Sequence, residues 1–120
     1  MRLRGLLFLF MVQTTCLALS NNLQAQPPNA VNDNATTTKN TKVNILVLAN
    51  DIGNNLEIDI ILPALHGKTK IIGSVVEYTP DLGYVGYDAF DYQITDTQTG
   101  QTDQATVAIT VKGTGVGELK

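Results

Sequence analysis

Two stretches decide the fold: Gly86-Tyr87-Asp88-Ala89-Phe90-Asp91-Tyr92-Gln93-Ile94-Thr95-Asp96 and Ala105-Thr106-Val107-Ala108-Ile109-Thr110-Val111. Successive residues of a strand point to opposite faces. Phe90, Tyr92 and Ile94 therefore share one face, with Tyr87, Ala89, Asp91 and Gln93 on the other. In the second stretch Ala105, Val107, Ile109 and Val111 alternate with Thr106, Ala108 and Thr110. This period of two predicts two half-buried strands, the first ended by Asp96 and the second entered through a loop over residues 97–102 that contains Gly100.

The same alternation continues towards the N-terminus. Val43, Ile45 and Val47 alternate with Asn44, Leu46 and Leu48, which predicts a strand before the turn-rich segment 50–55. Leu56, Ile58, Ile60 and Leu62 are expected to share one face opposite Glu57 and Asp59, with Pro63 closing the run. Residues 68–72 and 75–79 are separated only by Gly73-Ser74, and glycine first in a two-residue loop predicts a type II′ hairpin. Residues 80–86 form an irregular corner. The lead-in 26–40, rich in Pro, Asn and Thr, can supply a seventh, edge strand near residues 34–38. No window sustains apolar residues at helical spacing. The expected class is all-β: an antiparallel β-sandwich of about seven strands, with the sandwich proper over 41–112 and a flexible Gly-rich tail over 113–120.

Arg2 and Arg4 precede an apolar run over residues 6–19, and the chain then turns polar up to Ala25. That pattern is a signal peptide over 1–25, with cleavage after Ala25 and a mature chain from Gln26, and Ser20 marks a weaker cleavage point. The run is shorter than the ~20 apolar residues of a membrane span, so the mature chain is expected to have none. Cys16, the only cysteine, follows Gln13-Thr14-Thr15, a poor context for lipid attachment, and reads as part of the discarded segment. No disulfide can then form within the mature chain. All 11 acidic residues lie beyond residue 25 but two of the 8 basic ones do not, so the mature net charge is −5, six against eleven. Such a chain repels phosphate backbones, which excludes nucleic acid as an expected partner.

Catalysis finds little to use. The chain has one histidine, His66, which reads as a ring packed over a sheet end, and no Gly-x-Ser-x-Gly elbow, since Ser74 is a turn residue. One histidine and no mature cysteine cannot hold zinc. Asp88 and Asp91 differ in strand parity and cannot share a cleft as acid and base. Hard oxygen ligands at turns make calcium the cofactor to weigh, with Asp33, Asp51, Asp88 and Asp96 as candidate ligands. Tyr84 and Tyr87 are the candidate exposed aromatics for stacking on a carbohydrate, because Tyr78 and Tyr92 fall inward by parity.

Val47-Leu48-Ala49-Asn50-Asp51, His66-Gly67, Tyr78-Thr79-Pro80, Gly86-Tyr87-Asp88-Ala89-Phe90-Asp91-Tyr92, Asp96 and Ala105-Thr106-Val107 occur in that order. The set resembles the bacterial cadherin-like, Ig-like domain found in tandem arrays on surface and secreted proteins, over residues 28–111. Several of its positions suit the fold on physical grounds alone. Asn50 and Asp51 fit a turn, Gly67 and Gly86 a positive φ, Pro80 a strand end, and Phe90 and Tyr92 the core. The resemblance implies an exported, non-enzymatic structural or adhesive module, secreted, periplasmic or at the cell surface, with a protein or surface glycan as partner. The alternative is a calcium- or carbohydrate-binding accessory module. That family usually carries Asp-Asp where this chain has Asn32-Asp33. Only one copy is present, so a small secreted interaction domain or a piece of a longer protein is expected, and residues 115–120 resemble the linker before C-terminal sorting domains. The sequon Asn34-Ala35-Thr36 is set aside because the resemblance is bacterial.

Overall fold

The computed structural model describes residues 26–114. The expected signal peptide, its cleavage point, Cys16 and the end of the Gly-rich tail lie outside them. Seven strands follow one another: β1 (Asp33–Thr38), β2 (Val43–Ile45), β3 (Leu56–Leu62), β4 (Gly67–Ile72), β5 (Val75–Pro80), β6 (Gly86–Asp96) and β7 (Thr102–Lys112). They form a four-stranded sheet in the order β1-β7-β6-β3 and a three-stranded sheet in the order β2-β5-β4. At one side of the sandwich β1 lies over β2, and at the other β3 lies over β4.

The core lies between the sheets, where parity placed it. Phe90, Tyr92, Ile94 and Val107 are fully buried, as are Val76 and Tyr78 on the facing sheet. Burial of each such side chain stabilises by roughly 1.5–3 kcal/mol, which lets a small domain fold without a disulfide. The β4–β5 hairpin pairs Ile72 with Val75 around Gly73-Ser74. Gly73 has φ 62 and Ser74 is not among the positive-φ residues, the signature of a type II′ turn.

Five expectations need correction. First, the edge strand forms, but β1 runs parallel to β7, so one pair of the sandwich is not antiparallel. Second, β2 stops at Ile45: Ala49 N–H donates to Leu46 O at 3.0 Å and Asp51 N–H to Leu48 O at 3.2 Å, so the chain coils into turns while Val47 stays fully buried. Third, Leu62 does not share the face of Leu56, Ile58 and Ile60. A bulge after Ile60 inserts one residue, pairs Leu62 with Asp91 and turns it outward, 57% exposed. Fourth, β7 begins at Thr102, which shortens the expected loop. Fifth, only Gly86, at φ 144, has the positive φ expected of it and of Gly67. Gly67 is required for another reason: a Cβ there would lie 2.5 Å from the Tyr78 ring.

Candidate functional site

Two buried tyrosines organise the polar residues. Tyr92 projects from β6 with its ring fully buried and its hydroxyl against the segment that leads into β1. Around that oxygen lie Asp51 Oδ2 at 2.8 Å and Asp33 Oδ2, Val31 O and Val47 O, each at 3.2 Å. One hydroxyl proton faces four acceptors, and Asp51 takes the shortest bond. The other Asp51 oxygen accepts from Val31 N–H at 2.8 Å, and Asn50 Nδ2 donates to Asn32 O. Burial pushes the Asp33 carboxyl above its ordinary range; the nearby Asp51 charge adds to this, while bonds from Tyr92 and Asn50 oppose it. Burial, then the Asp51 hydrogen bond and the Asp33 charge, raise the Tyr92 hydroxyl as well.

Tyr78 makes the second arrangement, from β5. Its hydroxyl donates to Asp88 Oδ2 at 2.6 Å, and the same carboxylate accepts the backbone N–H groups of Leu65 and His66, each at 3.1 Å. Asp88 thereby fixes the link between β3 and β4. Burial and the bond to Asp88 raise the Tyr78 hydroxyl. Beside this clamp His66 stacks on Tyr84, ring centroids 4.2 Å apart at 4°, and the Tyr84 hydroxyl donates to Tyr87 O. Leu62, Pro63, Leu65, His66, Tyr87, Asp88 and Ala89 line an open, mainly apolar cleft of about 510 Å³.

Of the four candidate calcium ligands, only Asp33 and Asp51 come together. Asp88 belongs to the Tyr78 clamp. Asp96, 3% exposed, accepts the N–H groups of Gln98 and Thr99 and shapes the β6–β7 turn. Among the described residues no three of His, Cys, Asp and Glu cluster where they could hold a metal ion. Of the candidate aromatics, Tyr84 is half-buried in its stack, and Tyr87, 80% exposed, stands free. Sequence reasoning missed Asp103, whose carboxylate accepts Ala30 N–H at 2.8 Å, because that contact spans 73 residues and leaves no local pattern.

A four-stranded and a three-stranded sheet packed face to face, with a β1 strand pairing in parallel with the last strand, define an immunoglobulin-like module. The sequence model of the family described as Bacterial Ig domain matches residues 25–110, and the chain belongs to that family. No curated protein matches the chain.

Proposed function

We propose that this chain is a non-enzymatic interaction module of an exported protein, structural or adhesive, acting at the cell surface or after secretion. The observation that carries the reading is how its polar groups are used. Asp33, Asp51, Asp88 and Asp96 each accept hydrogen bonds from backbone or tyrosine donors that hold loops. The family membership supports it too, since such domains are typically non-catalytic and carried on exported surface proteins. Its contacts would be made by the loops and outer faces, and the signal peptide over 1–25 would deliver it. Two measurements test this. Expression from the full sequence in a bacterial host, with N-terminal sequencing of the exported product, is expected to give Gln26 first; retention in the cytoplasm overturns the export reading. Beads coated with the purified chain are expected to adhere to protein-coated surfaces better than uncoated beads, and equal adherence overturns the adhesive one.

A second reading, carbohydrate binding, is favoured by Tyr87, whose ring stands exposed over the cleft beside His66 and Leu65. Glycan-array binding abolished by Tyr87→Ala supports it, and an array with no signal removes it.

A further inference from the structure

Both sheets end in an open edge on the same side of the sandwich. β3 is the last strand of the four-stranded sheet, β4 is the last of the three-stranded sheet, and β3 lies over β4. A four-residue link, 63–66, joins them, too short to carry the chain back along a seven-residue strand, so β4 runs opposite to β3. Open edges present unpaired backbone donors and acceptors to any strand that can approach.

The side chains along these edges carry opposite charge. Glu57 and Asp59 alternate with the inward Ile58 and stand on the outer face of β3. On β4, Thr69 and Ile71 pair with the inward Tyr78 and Val76, which leaves Lys68 and Lys70 on the outer face. The same side gathers exposed apolar residues. Of the eleven large hydrophobic residues exposed among the described residues, five lie on β3, β4 or the link between them: Ile61, Leu62, Leu65, Ile71 and Ile72. Leu62 and Leu65 stand together at the link end of this side, 57% and 84% exposed.

We infer that this edge docks a second copy of the chain. A two-fold axis parallel to the strands and beside the edge exchanges the two layers, so that β3 of each copy meets β4 of the other. The axis leaves strand direction unchanged, so the opposed directions of β3 and β4 make both contacts antiparallel. Each joint then extends a sheet to seven strands, β1-β7-β6-β3 continuing into β4-β5-β2 of the second copy. Glu57 and Asp59 come to the same outer face as Lys68 and Lys70 of the second copy, within reach directly or on the diagonal. Leu62 and Leu65 of the two copies meet at one end. The contact is isologous and closes at two copies, because each edge is consumed by the other. Charge on an edge ordinarily blocks pairing, and two edges of like sign would do so here. Opposite signs make the same residues select this partner and orientation.

Sedimentation of the purified chain tests the inference. A dimer is expected whose dissociation constant rises several-fold with added salt, as exposed ion pairs are screened. Lys68→Glu with Lys70→Glu makes both edges acidic, and Glu57→Lys with Asp59→Lys makes both basic; each double variant is expected to stay monomeric while keeping a cooperative unfolding transition. Mixing the two is expected to restore a dimer containing one copy of each. A wild-type chain that stays monomeric at millimolar concentration overturns the inference, as does a dimer that survives either double substitution or a mixture that stays monomeric.

Discussion

The hydroxyl of Tyr92 lies 2.8 Å from a carboxylate oxygen of Asp51, 41 residues earlier in the chain, and joins the centre of the four-stranded sheet to the turn after β2. Tyr78 of β5 and Asp88 of β6, at 2.6 Å, join the two sheets, and Asp88 also holds the link before β4. In each pair the ring fills the core and the hydroxyl reaches its edge, where the carboxylate also holds backbone N–H groups of a loop. Cys16 being the only cysteine, these tyrosine–aspartate struts serve where a cross-link would otherwise restrain the loops.

Removing either hydroxyl leaves a partly buried carboxylate short of a donor. Tyr92→Phe and Tyr78→Phe are each expected to destabilise the chain by about 1–3 kcal/mol while retaining ring packing. The two effects should add, because the struts share no partner. Denaturant unfolding of the single and double variants measures this, and a loss below a few tenths of a kcal/mol for both would reduce the struts to ordinary surface contacts.

Asp33 gives a pH dependence of definite sign. Its folded pKa lies above the ordinary 3.8, so between those two values the folded chain binds more protons than the unfolded one. The contribution of Asp33 to stability therefore falls as pH rises through that window. Asp33→Asn keeps an oxygen for the Tyr92 hydroxyl and removes the charge facing Asp51. The variant is expected to gain on the parent as pH rises from below 3.8 to neutrality. A constant difference across the range would show that Asp33 does not titrate differently on folding.

At alkaline pH the two core tyrosines should act together. Both hydroxyls are raised above the ordinary 10.0, so the unfolded chain releases protons that the folded chain keeps, and stability falls as pH climbs past that value. The Tyr78→Phe, Tyr92→Phe double variant should lose most of that decline. Equal slopes for parent and variant would contradict it.

Most of the framework was legible because strand period reports burial directly: Phe90, Tyr92 and Ile94 face inward in the sequence pattern and in the structure. The Gly73-Ser74 turn was legible because its chemistry is local. Leu62 was misplaced because one bulged residue inverts parity without changing composition. The candidate site fared differently. Asp33, Asp51, Asp88 and Asp96 were recognisable as special by type and turn context, but their partners are 59, 41, 10 and 2 residues away, and only the last separation shows in a local window. Convergence of carboxylates is a tertiary property that no local window carries, and of the four only Asp33 and Asp51 share a partner.

Gly67 is expected to tolerate no side chain. A Cβ would meet Tyr78 Cε1 at 2.5 Å and its Cζ and hydroxyl oxygen at 2.6 Å, while ladder pairing with Pro80 holds the backbone in place. Gly67→Ala should cost about 1–3 kcal/mol through overpacking. Tyr78→Phe in the same chain should not relieve the clash, since the ring carbons remain, whereas Tyr78→Leu should relieve part of it. A neutral Gly67→Ala would mean that the ring can swing away.

Calcium provides the last test. A Ca²⁺ site needs six to eight oxygens around one point, several of them charged. Asp96 Oδ1 already receives the N–H groups of Gln98 and Thr99, and both Asp88 oxygens receive donors. Asp51 receives Val31 N–H on one oxygen and the Tyr92 hydroxyl on the other. Of the four, only Asp33 and Asp51 share a neighbourhood, with the Tyr92 hydroxyl between them. Millimolar Ca²⁺ and excess chelator are therefore expected to give the same unfolding midpoint, because a ligand that binds the native state must raise it by mass action. A midpoint that rises with Ca²⁺ in the parent and stays fixed in Asp33→Asn would overturn this, and would make the lead-in a calcium-binding segment that rearranges around Tyr92.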